Sequence, residues 1–220
     1  MDVLTKIAVL GVGRVGAAVA RTALAAGLDV TVAGSGAAED IALLAEIVIP
    51  GAKVAAAADA VADADLVVVA VPLHKFRSVD RAILAGRIVV DAMNHWAPID
   101  GELPEFSDPE VGTSEVVAAY FAEARIVKAL NHIGYHELEE DARRDSADGR
   151  RALAYASDDA EAAASVHELL DRFGFDPISA GPLAVGIAFE SGTRIFTSRL
   201  DAAGMRQALS EAAEDSALAA

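Results

Sequence analysis

The chain has no cysteine. That excludes disulfides, iron–sulfur clusters held by thiolates and a cysteine nucleophile. Positive charge is scarce: 18 Lys and Arg stand against 34 Asp and Glu, a formal net charge of −16. General nucleic-acid binding is disfavoured, because its affinity comes from neutralised phosphates. An anionic small molecule is not excluded, since a helix N-terminus and one arginine make a locally positive site. Charges break every long apolar stretch, so no segment reads as a membrane span. Met1-Asp2 lead straight into an apolar run, without the basic start, apolar core and cleavage region of a secretory signal. These absences predict a cytoplasmic protein with no membrane and no nucleic-acid partner.

What is present is an apolar majority, 54% of 220 residues, enough for one sizeable core and a small appendage. The organising stretch is Ile7-Ala8-Val9-Leu10-Gly11-Val12-Gly13-Arg14-Val15-Gly16. An apolar strand breaks into a glycine-spaced turn and enters an alanine-rich helical pattern, as in a dinucleotide-binding unit. Gly11 permits the tight turn, Gly13 lacks the Cβ that would hold a pyrophosphate away, and Gly16 lets helix and strand pack closely. The first-turn amides offer the anion site.

Taken in order, the pattern predicts a helix over 14–26 with Gly27 ending it, and a second strand over 29–33. That strand ends in Ala33-Gly34-Ser35-Gly36, with no carboxylate at the tip. An NAD-selective site usually has an acidic residue there for the ribose 2′-OH. A 2′-phosphate is therefore expected to meet no fixed negative charge, and Ser35 with nearby amides to receive it. Further elements are expected as a helix over 39–48, a strand over 53–56, a helical piece over 57–64 and a buried strand over 65–71. The last ends in Val71-Pro72-Leu73-His74, at the sheet edge where ligands of open α/β folds bind. A helix over 75–84 and a strand over 87–91 follow, then an irregular stretch, 92–112, of the kind that covers a site.

Thr113 is expected to cap a helix over 114–122, before a strand over 125–130 that stops at Asn131-His132-Ile133-Gly134-Tyr135-His136. His132 and His136 have the spacing to share a helix face, but no third ligand stands near and the pattern is not His-Glu-x-x-His, so no metal is expected. Asn131, fixed by the strand end, is the better functional candidate. The charged stretch 137–151 reads as a solvated connection. A strand over 152–156, a helix opened by Asp158-Asp159 and ending near Phe173-Gly174, and an edge strand over 175–179 complete the sheet. The remainder reads as helical. Val185, Ile187, Phe189, Ile195 and Phe196 exceed what a surface helix needs and mark a candidate dimer contact, and the tail after Ser210 is expected to fray. The fold class expected is α/β, Rossmann-type: a mostly parallel sheet flanked by helices over residues 1–180, with a small C-terminal helical part over 181–220.

Several motifs in this order resemble the coenzyme F420:NADP oxidoreductase family: Gly-Val-Gly-Arg-Val-Gly at 11–16, Gly34-Ser35, Val71-Pro72, Val127-Lys128-Ala129-Leu130-Asn131, Asp158-Asp159 and Ala180-Gly181-Pro182-Leu183. The nucleotide domain is also similar to the cytosolic reductase domain of STEAP metalloreductases. The resemblance implies an enzyme in which nicotinamide and deazaflavin stack in a cleft at the strand ends and exchange a hydride, and in which the C-terminal part often pairs subunits. It places Gly11, Val12, Gly13, Arg14, Val15 and Gly16 at the pyrophosphate, and Gly34 and Ser35 at the 2′-phosphate. Val71, Pro72 and His74 fall at the ribose and nicotinamide, and Asn131 and Ile133 beside the reacting rings. Asn131 and His74 are the candidate catalytic residues. Family members that prefer NADP commonly carry Ser-Arg where this chain has Ser35-Gly36, and the missing arginine removes a bidentate phosphate partner. Arg14 is the candidate to replace it.

The expected function is transfer of a hydride between NADP(H) and coenzyme F420 or a flavin-like ring, by a homodimer acting on a small-molecule redox acceptor. Such a transfer needs close placement and water exclusion more than a protein acid. An imine or small-carbonyl reductase would instead need a proton donor, for which His74, His132 and Tyr135 are candidates. A dinucleotide-binding sensor without turnover is a third reading.

Overall fold

Alternate residues along the two central strands 7–10 and 66–69 enter different cores, which is why both are apolar throughout. Ile7 and Val9 of β1 (Lys6–Leu10) face one buried cluster, while Ala8 and Leu10 face another. β4 (Leu66–Val69) divides in the same way, with Leu66 and Val68 on one side and Val67 and Val69 on the other. A strand covered on both faces has no polar side.

A computed structural model describes residues 4–146 and 149–219. Between β1 and β4 lie α1 (Arg14–Ala25), β2 (Asp29–Ala33), α2 (Ala38–Val48), β3 (Lys53–Val54) and α3 (Ala57–Ala62). After β4 come β5 (Ile88–Asp91), α4 (Ala97–Asp100), α5 (Thr113–Tyr120), β6 (Arg125–Lys128), α6 (Tyr135–Glu140), β7 (Ala152–Ala156), α7 (Ala160–Phe173), β8 (Asp176–Gly181) and α8 (Ala202–Ala219). The strand order is β3-β2-β1-β4-β5-β6-β7-β8. The pairs from β3 to β6 are parallel, β6 and β7 are antiparallel, and β7 and β8 run parallel to each other. This is the Rossmann order with two strands added beyond β6. Helices α1, α2, α6 and α7 cover one face, and α3 and α5 cover the other.

A third cluster gathers Phe189, Ile195, Met205 and Ala208 over Ala152, Ala154 and Ile178. Phe189 and Ile195, counted in the sequence among apolar residues in excess, are therefore used inside the chain. The tail expected to fray continues as helix α8 through Ala219.

Other departures have local causes. The helix expected over 75–84 is instead two 3-10 segments, Leu73–Ser78 and Arg81–Leu84. Leu73, Phe76 and Val79 are buried at three-residue intervals, the period of a 3-10 turn. Helix α5 begins one residue early: Gly112 is its N-cap, and Thr113 bonds through both amide and hydroxyl to Glu190 Oε1 at 2.8 Å. The strands expected over 53–56, 65–71 and 125–130 are shorter, because the chain leaves the sheet at Ala55, Ala70 and Ala129. The stretch 137–151 is more than a solvated connection, since Arg151 is buried and bridges Glu137 and Asp141 at 2.9 Å.

In register on adjacent strands, Asp91 of β5 faces Lys128 of β6. Both side chains are fully buried, with Lys128 Nζ 3.5 Å from Asp91 Oδ2. The ammonium also donates to Met93 O at 2.7 Å and Thr113 Oγ1 at 3.2 Å, while Asp91 accepts from Ser114 Oγ at 2.5 Å and Met93 N at 3.0 Å. Removing one member strands a buried charge, at a cost of about 3–5 kcal/mol. Lys128→Met is expected to lower the stability read from urea unfolding by that amount, and Lys128→Met with Asp91→Leu to be less destabilised than the single variant.

Candidate functional site

The glycine turn is a place of close backbone contact. Gly11 has φ +111°, its amide donates to Ala33 O at 2.9 Å, and a Cβ there would lie 2.6 Å from Ala70 O. A Cβ on Gly16 would overlap the Gly11 carbonyl oxygen. Gly13, the N-cap of α1, differs from both: a Cβ on it would have no neighbour within 4 Å. Gly11 and Gly16 thus hold strand and helix together, and Gly13 faces open space.

Carboxylates occupy the starts of α2, α5, α6 and α7, and α3, though uncapped, carries Asp59 in its first turn. Asp159 caps α7 by accepting from Glu161 N and Ala162 N at 3.0 and 2.9 Å. At α2, α5 and α6 the third helical residue reaches back to the N-cap amide: Asp40 to Ala37 N, Glu115 to Gly112 N and Glu137 to Gly134 N. Helix α1 has neither a side-chain cap nor an acidic residue in its first turn. Its first amides have no side-chain partner, and the positive end of its dipole is uncompensated.

A cleft of about 450 Å³ opens beside this turn. Gly13, Arg14 and Val15 form one wall, and Ala70, Val71, Pro72 and Leu73, after β4, a second. Ala92, Met93 and Asn94, after β5, form the third, with Trp96 and Asp100 at the rim. On the other side of the turn, a groove of about 380 Å³ runs between α1, α2 and α6 and shares Gly13 and Arg14, with Val12 and Tyr135 in its lining. Arg14 is exposed and lies 5.8 Å from the centre of the Tyr135 ring; among the described residues it makes no ion pair. Gly34 and Ser35 sit at the tip of β2, outside the large cleft.

His74 does not line the cleft but bonds to a residue that does. Its Nδ1 lies 2.6 Å from Asp100 Oδ1, and its amide donates to the same oxygen at 3.3 Å. Asp100 Oδ2 accepts from Trp96 N at 2.7 Å. Burial opposes ionisation of Asp100, but the bonds from His74 and the Trp96 amide outweigh it and hold the carboxyl below its usual range. Asp100 therefore latches the 94–100 loop to the end of β4.

Asn131 is buried, its amide committed to protein partners. Nδ2 donates to Asn94 Oδ1 at 3.2 Å and to Phe189 O at 3.0 Å, and Asn94 Nδ2 returns a bond to Asn131 O at 2.6 Å. Asn94 is the residue that meets the cleft. Ile133 packs in the core under α1. Leu130, in the left-handed region at φ +64°, turns the chain out of β6 to place this segment. His132 is buried and precedes α6, so it does not share a helix face with His136. Its Nε2 accepts from Ala154 N at 3.0 Å, which puts the proton on Nδ1, facing Asn131 Oδ1 at 3.3 Å. Burial, then the Arg151 and Lys128 charges, push its pKa down to about 3.

Met93, Asn94, Trp96 and Asp100 were not singled out by sequence. The one available signal was the long irregular stretch after β5, which marked a cover without saying which side chains it carries.

A profile for the family described as NADP oxidoreductase, coenzyme F420-dependent, matches residues 6–95. A crystal structure of a protein assigned as an F420-dependent NADP reductase, from Arthrobacter sp. FB24, is 30% identical with a TM-score of 0.67, covering 84% of this chain and 88% of that one. This chain belongs to the coenzyme F420-dependent NADP oxidoreductase family. A hypothetical protein from Sinorhizobium meliloti, SMa0349, aligns with a TM-score of 0.73 at 27% identity, covering 90% of this chain and 95% of that one. An imine reductase from Pseudomonas sp. shares the fold at 18% identity and a TM-score of 0.56, covering 82% of this chain and 56% of that one. A search of curated proteins returns no match. The similarity to STEAP metalloreductases gains no support from these matches. The chain is a Rossmann-fold NAD(P)-dependent oxidoreductase domain, and no described helix is long and apolar enough to cross a membrane.

The neutral His132 makes stability depend on pH. Its folded pKa lies below the ordinary 6.5, so the unfolded chain binds the extra proton between the two values. His132 therefore contributes a loss of stability that begins as pH falls below about 6.5 and levels off near 3. Urea midpoints measured across that window are expected to fall less steeply for His132→Gln than for the wild type.

Proposed function

We propose that this enzyme transfers a hydride between NADP(H) and coenzyme F420 or a related flavin-like ring. The observation that carries the reading is the cleft beside the α1 N-terminus, with Trp96, about half exposed, at its rim. Gly13 leaves room for a pyrophosphate on the free α1 amides, and Arg14 stands beside it with a free charge. Ser35 is the residue offered to a 2′-phosphate. Val71-Pro72 and Met93-Asn94 would hold a reduced nicotinamide between them, and that ring would supply the hydride. Leu73 and Met93 are buried apolar residues that keep water from the reacting faces. Trp96 offers an indole face to a planar acceptor, and the accompanying proton comes from solvent. Asn131 acts through Asn94, whose amide it holds.

The pairing of His74 with Asp100 favours a second reading, reduction of an imine or small carbonyl. A histidine oriented by a carboxylate is the proton donor such a reaction needs and a ring-to-ring transfer does not. His74→Asn separates the two. Loss of general-acid catalysis lowers kcat on an imine by about 100-fold or more, whereas F420 reduction is expected to keep its kcat, with any loosening of the Asp100 latch read only in the KM for the ring.

Stopped-flow mixing of protein, NADPH and oxidised F420, followed at the deazaflavin absorbance with FMN as comparison, tests the main reading. Hydride transfer to one of the rings is expected, and reduction of neither overturns it. Trp96 is the chain's one tryptophan, so its emission reports ring binding directly. Quenching by the accepted ring is expected. Trp96→Leu should raise the KM for that ring about tenfold, the worth of one aromatic stacking contact, with the NADPH Kd unchanged.

A further inference from the structure

The tip of β2 is where a Rossmann fold meets the adenosine ribose, about 20 residues beyond the glycine turn. Here it is Gly34-Ser35-Gly36-Ala37, joined to the turn by the Gly11 N to Ala33 O bond of 2.9 Å. The sequence shows no acid in these four residues. The structure brings one back from α2: Asp40 Oδ2 accepts from Ala37 N at 3.0 Å and stands so close over Gly36 that a Cβ there would lie 2.5 Å from it. The expectation that a 2′-phosphate meets no fixed negative charge at this tip is therefore corrected. Asp40 takes the amide that opens α2 and compensates that end of the helix dipole, the two features that would otherwise attract a phosphate. Glu39 adds a second acid in the same turn.

We propose that the Asp40 carboxylate sets the discrimination between phosphorylated and unphosphorylated nicotinamide dinucleotide, by holding the Ala37 amide and repelling a 2′-phosphate at Ser35-Gly36. The adenosine 2′-OH of NADH carries no charge and gains a hydrogen-bond acceptor from the same carboxylate. NADPH must approach against it, and Gly36 supplies no side chain to offset the repulsion. Arg14 lines both the cleft and the groove on the other side of the turn, with its guanidinium 5.8 Å from the centre of the Tyr135 ring, and among the described residues it makes no ion pair with Asp40. Asp40 is thus a specificity residue that weakens a preference Ser35 alone would give.

The inference rests on the nucleotide-binding reading above, and the test separates the two. Calorimetric titration of NADPH and NADH, at one fixed salt concentration, is made on the full chain and on Asp40→Asn. Asparagine keeps an oxygen for the Ala37 amide and removes only the charge, so the variant retains its cap. The NADPH-to-NADH affinity ratio is expected to rise at least about tenfold in Asp40→Asn, the scale of a like-charge contact of a few ångström in a partly solvated site. NADH affinity should stay the same or fall slightly. A ratio unchanged within about twofold, with both dinucleotides bound, overturns the role of Asp40 and leaves the cofactor reading intact. Wild-type protein that binds neither dinucleotide overturns both. Asp40→Lys at the same tip should move the ratio further in the same direction, and a fall in either variant contradicts the proposal.

Discussion

Three backbone segments meet at the end of β1 at distances that side chains forbid. The Gly11 turn lies against the Ala70 carbonyl of the chain leaving β4, and α1 lies against the Gly11 carbonyl at Gly16. A Cβ at Gly11 would push the turn off the chain leaving β4, and one at Gly16 would push α1 off the turn. With these contacts made, the first turn of α1 points over the carboxyl ends of the strands, and the gap between it and the chain leaving β4 and β5 is the cleft. The site's position follows from backbone packing, before any functional side chain is considered.

Charge is then distributed helix by helix. A chain with a net charge of −16 has acids to spare, and it spends them on the N-termini of α2, α5, α6 and α7 while leaving α1 bare. Each of those carboxylates satisfies an orphan amide and offsets a dipole, worth about 0.5–2 kcal/mol apiece. Forgoing that stabilisation at α1 is the local cost of an anion site. The global charge says little about ligand sign, because the field near α1 is set by its own amides and by Arg14.

Where a single local rule decided the outcome, the sequence was legible. Strands 29–33 and 152–156 and the helix 160–173 have the boundaries their apolar runs, Asp159 and Gly174 imply. The glycine turn, and the placing of Val71 and Pro72 at the sheet edge, came from the same reasoning. It failed where distant partners decide. A spacing of three residues at Leu73, Phe76 and Val79 fits one side of an α-helix and also a 3-10 turn, and only packing against Phe121 and Tyr120 distinguishes them. Asn131, expected directly at a strand end, lies three residues beyond β6, and the direction of its amide depends on Phe189, 58 residues on. Asp40 was invisible as a tip residue because it belongs to the next helix and reaches back through a capping bond. The charges of 137–151 read as solvated because their partners include Arg199, far along the chain.

The cleft's walls differ in how firmly they are held, and that difference bears on chemistry. On the β5 and β6 side, both backbone groups of Met93 are pinned by the buried Asp91 and Lys128, and Asn94 is clamped to Asn131, itself held by Phe189 O and faced by neutral His132. Shifting this wall would break bonds in a low-dielectric interior, where each unmet polar group costs about 1–3 kcal/mol. The opposite rim, carrying Trp96, hangs chiefly on Asp100 and its partly exposed partner His74. The Asp100 side chain is itself nearly buried, so this rim hangs on one enclosed carboxylate where the floor is held by several groups. Hydride transfer requires the donor ring to be placed within tenths of an ångström, while the acceptor needs only to be pressed against it. Under the proposed function, a floor held by several buried bonds would place the nicotinamide and a rim held chiefly through Asp100 would cover the acceptor, so that changes in the 94–100 loop would alter the acceptor while the dinucleotide stays in place.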